Sequence, residues 1–283
     1  SIAARNAPSQ ISALQQVAFV SFEAYENKKV LESHYNDQTT VVYLLPVNTS
    51  PNQFNPKADF FADVTIFHAL LTRFHISPPK RFVFISSGGG IYGNRQEYSP
   101  IRETDETKPV SYNGYKKLLM EKTLEFLHHS HSYEYVIVRP ANPYGPGQKA
   151  FKGQGLIATA MGCCLQKRKL TLLGRDIVRD YIHIDDLTNA IASICTGQSR
   201  HQIYNIGSGS GVSNATIIDS IAHLAEESKL TLDIEWAPAR PEDANYNVLN
   251  TERLLADFGW APRVPFEHGI RATWQALIDG AQS

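Results

Sequence analysis

The chain has 283 residues, of which 42% are hydrophobic and 19% charged, and its formal net charge is -1. Such a chain can bury a sizeable core, and it lacks the basic surplus that nucleic-acid-binding proteins usually carry. It contains no apolar run of about 18 residues, so no membrane span is expected. Three cysteines without CxxC spacing argue against disulfides or a zinc site and favour a reducing, cytoplasmic location.

The first half of the chain alternates apolar strand-like runs with amphipathic helices. Short continuous apolar runs, typical of strands covered on both faces, occur at Thr39–Leu45, Arg81–Ser87 and Tyr135–Arg139. Residues 59–74 and 115–128 carry apolar side chains at helical spacing. This alternation predicts a doubly wound parallel α/β sheet over residues 1–140.

The rhythm changes after Arg139, where a segment rich in proline and glycine begins. Shorter elements follow, including a predicted strand at Lys169–Leu173 and a predicted helix at Asn214–Glu227 with Ser213 as its N-cap. These features predict a smaller C-terminal α/β lobe over residues 141–283, interleaved with the first.

Two polar segments follow predicted strands in the first half. Ser86 and Ser87 end a strand and are followed by Gly88–Gly90, where open α/β sheets place ligands, although a simple turn explains the pattern equally well. Tyr112 and Lys116 are four residues apart and share a helix face, where a lysine lowers the pKa of a phenol and makes it a usable proton shuttle. The alternative is a surface helix with aromatic packing.

Three further residues are candidates for binding an anionic substrate. Asn142 lies in a rigid Pro/Gly loop, as either a ligand or a turn-forming residue. Arg179 and Arg240 are far apart in sequence, and guanidinium groups suit the bidentate binding of a diphosphate. Alternatively, each arginine pairs with the acid beside it, Asp180 or Asp243.

Six segments in this order resemble the extended short-chain dehydrogenase/reductases, particularly the UDP-glucose 4-epimerase-like members of the NAD-dependent epimerase/dehydratase family. The segments are Ser86–Gly93, Tyr112–Lys116, Arg139–Pro146, Arg179–Leu187, Tyr204–Gly209 and Arg240–Asp243. The resemblance implies a Rossmann lobe that binds NAD, with NADP possible, and a lobe that binds a nucleoside diphosphate-sugar. It also implies a homodimer formed through helices such as Tyr115–His128.

The resemblance further implies roles for individual residues. Tyr112 would move a proton on the sugar hydroxyl, assisted by Ser87 and Lys116. The candidate residues for cofactor binding are Arg5, Ser86, Lys117 and Pro140. The candidate residues for binding the substrate diphosphate region are Asn142, Arg179 and Arg240. No metal site is expected.

The sequence departs from the family pattern near its beginning. No GxxGxxG segment precedes the expected second strand, Ser1–Asn6. We therefore expect that the chain lacks its first strand-helix unit, roughly 25–35 residues. Arg5 at the end of that strand favours NADP(H) over NAD.

The departures at the active site concern Gly88 and Asn113. Gly88 stands where the family has its catalytic serine or threonine, and an ungapped match to YGxxKLxxE places Asn113 at the tyrosine and Lys117 at the lysine. An amide does not titrate usefully. Three functions therefore stay open: NAD-dependent epimerisation of a nucleoside diphosphate-sugar, NADP(H)-dependent keto-sugar reduction, and nucleotide-sugar binding without chemistry.

Overall fold

A computed structural model describes residues 2–4, 19–21, 36–44, 61–94, 98–129, 133–151, 155–240 and 245–282. Its strands are β1 (Ile2–Ala4), β2 (Phe19–Ser21), β3 (Thr40–Tyr43), β4 (Arg81–Ile85), β5 (Glu134–Pro140), β6 (Asn142–Tyr144), β7 (Leu170–Leu173), β8 (Val178–His183), β9 (Ile203–Ile206), β10 (Gly211–Ser213), β11 (Ile234–Ala237) and β12 (Tyr246–Asn247). Its helices are α1 (Ala62–Ile76), α2 (Gly88–Ile91), α3 (Tyr112–His128), α4 (Leu156–Gln166), α5 (Ile184–Thr196), α6 (Asn214–Glu227), α7 (Glu252–Phe258) and α8 (Phe266–Gln282).

The main sheet is parallel and has the strand order β3-β4-β5-β9. Alternate side chains of its central strands enter two different cores. Phe82, Phe84 and Ile137 pack with aromatic and aliphatic residues of α1 and α3. Val83 and Val138 pack on the opposite face with residues of α5. Burial on both faces explains the continuous apolar runs in the sequence and confirms the predicted α/β sheet.

Strand β9 comes from the second half of the chain and pairs with the main sheet. It lies beyond residue 140, and its Ile203–Ile206 segment pairs with Ile137–Pro140 of β5, so it extends the sheet of the first half. Strands β1 and β2 form a separate parallel pair. Among the described residues, no strand pairing joins this pair to the main sheet.

The second half adds two small sheets. Strand β8 is antiparallel to β10 and parallel to β12 and β6, and β7 pairs with β11. A third core joins these strands to α4, α6 and α8. Helix α6 spans the predicted residues, and the Ser213 side chain accepts a hydrogen bond from the backbone N–H of Thr216, which confirms Ser213 as the N-cap.

The described residues contain neither a membrane-spanning candidate nor a metal cluster. None of the described helices has the length and hydropathy needed to cross a bilayer. No group of three or more His, Cys, Asp or Glu side chains in this part of the chain is placed to hold a metal ion.

Candidate active site

The candidate site lies at the carboxyl end of β4, where the chain turns into the one-turn helix α2. Ser87 is the N-cap of α2, and its Oγ accepts a hydrogen bond of 3.1 Å from the backbone N–H of Gly90. The predicted catalytic hydroxyl therefore already stabilises the local turn. It is half-buried at the carboxyl end of the sheet.

Ser86 points toward a buried ion pair behind the site. Its hydroxyl donates to Glu121 on α3, and the Glu121 carboxylate also lies 2.6 Å from Nη2 of Arg139 on β5. Arg139 donates further to the hydroxyl of Tyr92 at 2.9 Å. Burial alone would lower the pKa of Arg139, but the charge and hydrogen bonds of Glu121 outweigh burial and raise it. This network ties β4, β5 and α3 together beneath the strand ends.

Helix α3 begins against α2 through two glycines. Ser111 caps the helix by accepting a 3.1 Å hydrogen bond from the backbone N–H of Gly114. A Cβ added at Gly114 would lie 2.0 Å from the carbonyl oxygen of Gly90, which is far inside van der Waals contact. The first turn of α3 therefore approaches the end of the sheet only because position 114 has no side chain.

Tyr112 and Lys116, the predicted catalytic pair, have different surroundings. Lys116 is buried, and its Nζ lies 3.0 Å from Oδ2 of Asp63 on α1. Both side chains are about 7% exposed. Tyr112 is the first residue of α3 and is 40% exposed. The lysine of this predicted pair therefore interacts with α1 rather than with the end of β4.

Lys117, predicted to bind the cofactor, lies at the end of β4. Its Nζ donates a 2.8 Å hydrogen bond to the carbonyl oxygen of Ile85 and lies 5.0 Å from the centroid of the Phe84 ring. Burial lowers the pKa of Lys117 to about 8, against the opposing charges of Asp63 and Glu121. The ammonium group is therefore less favoured here than in water.

Asn113 lies one helical turn before Lys117, on the same face of α3. Its Oδ1 is buried and has no hydrogen-bond partner among the described atoms. An unpaired buried acceptor is costly, so Asn113 Oδ1 is a candidate for accepting a hydrogen bond from a ligand. The second possible register of the YxxxK pattern, Asn113–Lys117, is thus the one whose lysine reaches the strand end.

Gly88 leaves no room for the hydroxyl-bearing side chain that the family usually has there. A Cβ at this position would lie 2.5 Å from Cδ1 of Leu249, 2.9 Å from the carbonyl oxygen of Arg139 and 3.0 Å from that of Pro140. Pro140, predicted to bind the cofactor, is the buried last residue of β5. The Leu249 side chain and two backbone carbonyl groups therefore fill the space beside Gly88.

Asn142 and Asp180 join the strand ends to the second half of the chain. The Asn142 Nδ2 donates to the Asp180 carbonyl oxygen at 2.9 Å, and its Oδ1 lies next to Gly89. The Asp180 carboxylate is fully buried and accepts hydrogen bonds from the backbone N–H groups of Ser208, Gly209 and Leu249. Burial raises the pKa of Asp180, although these hydrogen bonds oppose the rise. The aspartate of the Arg-Asp-Tyr segment therefore organises the backbone of the loop after β9.

The two arginines predicted to bind the diphosphate lie on different segments of the chain. Arg179 is half-buried on β8, where its Nη1 donates to the Val178 carbonyl oxygen at 3.1 Å. Arg240 is exposed after β11. The chain beyond it returns as β12, in which Asn247 is in register with Arg179. Arg5 lies outside the described residues, so its predicted role in cofactor choice is not addressed by the structure.

The structure adds functional candidates that the sequence did not single out. Asn247 is fully buried, donates to the Gly88 carbonyl oxygen at 3.2 Å and has an Oδ1 without a partner among the described atoms. Asp63 determines where Lys116 points. Neither residue belongs to a recognisable motif, and each acts over a long sequence separation. The available sequence signal for Asn247 was the Gly88–Gly90 segment, because Asn247 donates to the Gly88 carbonyl oxygen.

The fold and this strand-end site define a Rossmann-type α/β protein, and comparison with known proteins identifies its family. The sequence profile of the NAD dependent epimerase/dehydratase family matches residues 2–207, so the chain belongs to that family. It is 29% identical over 192 residues to dTDP-4-dehydro-6-deoxyglucose reductase of Escherichia coli, a match that covers 68% of this chain and 59% of the relative. It is also 29% identical over 227 residues to UDP-glucose 4-epimerase of Halalkalibacterium halodurans, covering 73% of this chain and 66% of the relative.

Solved structures show the same fold over nearly the whole chain. UDP-glucose 4-epimerase of Thermus thermophilus, solved in complex with NAD, superposes with a TM-score of 0.79 at 27% identity and covers 93% of this chain and 86% of its own. UDP-glucose 4-epimerase of Thermotoga maritima, solved with UDP-glucose, gives a TM-score of 0.81 at 24% identity and covers 95% and 88%. The matches to the two curated relatives cover 59% and 66% of those proteins' length, which is less than two thirds.

Proposed function

We propose that the protein binds NAD and a nucleoside diphosphate-sugar at the carboxyl end of the main sheet and epimerises the sugar through a transient ketone. The observation that carries the proposal is the contact of Lys117 with the end of β4, one helical turn after Asn113 on the same face of α3. There a lysine with a lowered pKa and an unpaired amide oxygen lie beside a glycine-rich turn. Family membership and the NAD named in the Thermus thermophilus complex support the choice of cofactor.

The residues present fit the nicotinamide half of a dinucleotide. Lys117 can donate to ribose hydroxyls from the strand end, and the buried Asn113 Oδ1 can accept from a ligand, because it has no donor among the described residues. Ser87 and Pro140 border the same turn. When bound there, NAD supplies the acceptor and donor of a hydride. The protein's part is to hold the sugar carbon near it and to move the hydroxyl proton.

The nucleoside diphosphate is assigned to the second half of the chain. Arg179 lies on β8, close in register to Asn247, and Asn142 links the end of β5 to the same strand. A guanidinium binds phosphate oxygens in bidentate fashion, which suits Arg179 and Arg240 to the diphosphate. The sugar would then extend from these arginines toward Gly88–Gly90, since glycines permit close approach to a ring.

A second function, nucleotide-sugar binding without chemistry, is favoured by two observations. Asn113 stands where the proton-transferring tyrosine of the family is expected, and the backbone around Gly88 excludes a replacement hydroxyl. Such a protein would bind the same ligands and leave the sugar unchanged.

The test uses the full-length protein with its bound dinucleotide. It is incubated with UDP- and dTDP-sugars, and the products are separated by chromatography and identified by NMR. We expect 4-epimers to form without net consumption of NADH or NADPH. Stoichiometric oxidation of NADPH would instead identify a keto-sugar reductase, and tight binding without any product would identify the silent relative.

Arg179→Ala tests the substrate-binding half separately. We expect weaker nucleotide-sugar binding by calorimetry, with dinucleotide content unchanged. Arg168→Ala, which removes an exposed arginine stacked 4.4 Å from the Phe151 ring, is the matched control and should bind normally. Equal affinities of the two variants would contradict the assignment of Arg179.

A further inference from the structure

We infer that Lys117, acting through a water held by Asn113, is the group that moves the sugar hydroxyl proton in this protein. The inference rests on the proposed function and assigns its proton transfer to residues other than a tyrosine. Its basis is the contact of Lys117 with the end of β4, together with the buried, unpartnered Asn113 Oδ1 one turn earlier on the same face of α3 among the described atoms.

The alternative groups near the turn are already engaged or excluded. Lys116 is held in a buried ion pair with Asp63, 3.0 Å away. The Ser87 Oγ accepts from Gly90, and Gly88 is enclosed by Leu249 and two carbonyl oxygens. Ser86 donates to Glu121, whose carboxylate is neutralised by Arg139. Lys117, by contrast, has its Nζ at the end of β4, where it donates to the carbonyl oxygen of Ile85.

An asparagine is shorter than a tyrosine, so in the proposed complex a water is needed to connect its amide to a sugar oxygen. A bridging water can donate one hydrogen to Asn113 Oδ1, which has no partner among the described atoms. In the oxidising direction its oxygen accepts from the sugar hydroxyl and its second hydrogen lies toward the neutral amine of Lys117. In the reducing direction its oxygen accepts from the Lys117 ammonium and its second hydrogen lies toward the ketone oxygen. The arrangement satisfies the buried acceptor and connects the lysine to the reacting hydroxyl.

The step balances in both directions. In the oxidising half, the sugar C–H electron pair leaves as hydride to oxidised nicotinamide, and the O–H electron pair becomes the second bond of the ketone. The released proton passes to the water, which gives one of its own to the neutral amine of Lys117. In the reducing half, the ketone carbon receives the hydride and its oxygen receives the proton, and the lysine returns to the amine.

The charges around Lys117 are compatible with this exchange. Asp63 on α1 and Glu121 on α3 favour its ammonium form, whereas Lys116 and burial favour the amine. Both acids are themselves paired, with Lys116 and Arg139 respectively. The lysine therefore exchanges a proton near neutral pH, as a general acid and base requires.

The first test measures protonation rather than activity. The full-length protein is labelled with 13C,15N-lysine, and the Lys117 side-chain resonance, assigned with Lys117→Arg, is titrated by NMR. We expect a midpoint near pH 8, well below the ordinary lysine value of 10.5. A midpoint at the ordinary lysine value would overturn the inference.

The second test compares kinetics of matched variants. Lys117→Arg keeps the positive charge but cannot release a proton, and Lys117→Met removes both; each should lower kcat by about 10²- to 10⁴-fold with little change in nucleotide-sugar affinity. Asn113→Leu should lower kcat and make the curved proton inventory of a two-proton relay linear. Lys122→Gln is the control and should behave as wild type.

Tyr112→Phe separates this inference from the tyrosine mechanism. Loss of turnover in Tyr112→Phe, or retention of turnover in both Lys117 variants, would overturn the role of Lys117. Ligand binding without wild-type turnover, followed by turnover in Asn113→Tyr, would overturn it too and support the silent relative. If the wild type binds neither ligand, the proposed function itself fails.

Discussion

The Nζ of Lys117 and the carbonyl oxygen of Ile85 are joined by a 2.8 Å hydrogen bond that crosses from α3 to the end of β4. The lysine is half-buried there, and its desolvation lowers its pKa from the ordinary 10.5 to about 8. The contact therefore positions the lysine and also links the stability of the fold to pH.

The first prediction concerns that link. Between about pH 8 and 10.5 the folded chain holds fewer protons at Lys117 than the unfolded chain, so the free energy of unfolding rises with pH in this window. In Lys117→Met this contribution is absent. We expect wild-type stability relative to Lys117→Met to improve by about 2–3 kcal/mol from pH 7 to pH 10.5, measured by urea denaturation. Parallel pH curves for the two proteins would contradict the prediction.

The second prediction compares two neighbouring glycines. Gly88→Ser should destabilise the fold by about 1–3 kcal/mol, because its Cβ would lie 2.5 Å from Leu249 and close to two backbone carbonyls. Gly89→Ser should be tolerated better, since the nearest atom to its Cβ is the Asn142 side chain at 3.3 Å. Thermal unfolding of both variants checks the order. If Gly88→Ser is more stable than Gly89→Ser, the tight packing described around position 88 is contradicted.

The third prediction concerns the buried ion pair behind the site. Glu121→Gln should cost about 3–5 kcal/mol, because it leaves the Arg139 guanidinium buried without a counter-charge. Glu125→Gln on the same helix removes a pair with the exposed Lys122 and should cost about 0.5 kcal/mol or less. Chemical denaturation at neutral pH measures both. Similar losses in the free energy of unfolding would show that the buried pair stabilises the fold no more than the exposed pair does.

The fourth prediction concerns the expected homodimer. Tyr115, Leu119 and Phe126 lie along one face of α3, and Phe126 is 77% exposed, which is unusual for a large apolar side chain without a covering partner. Phe126→Glu should shift the protein toward monomer in analytical ultracentrifugation. Leu255→Glu, at an exposed apolar residue of α7, is the matched control and should leave the sedimentation coefficient unchanged. A monomeric wild type would refute the expected interface.

The fold was predictable because its signals are local. The apolar runs at β4 and β5, the helical spacing of α6 and the N-cap at Ser213 each depend on residues a few positions apart. The register of the active-site helix was not predictable in this way. Tyr112–Lys116 and Asn113–Lys117 both have the spacing of four, and they are distinguished by Asp63, which lies 53 residues before Lys116 and pairs with it.

The same limitation applies to the interior of the site. Asp180 stands next to Arg179 in sequence and offered an obvious salt-bridge partner, yet its carboxylate accepts hydrogen bonds from Ser208, Gly209 and Leu249. These backbone donors are brought to it by the folding of β9 and the segment around β12. No sequence pattern around Asp180 specifies them, because any residue can supply a backbone N–H.

The contact between Gly90 and Gly114 limits how the site can change. Turning α3 by one residue, about 100° for a helix with 3.6 residues per turn, would bring Tyr112 toward the position of Asn113. The same rotation would replace Gly114 by a residue with a side chain, at a place where even a Cβ lies 2.0 Å from the Gly90 carbonyl oxygen. Thermal motion therefore cannot exchange the two residues. Placing a tyrosine opposite the strand end therefore requires a substitution at position 113 itself.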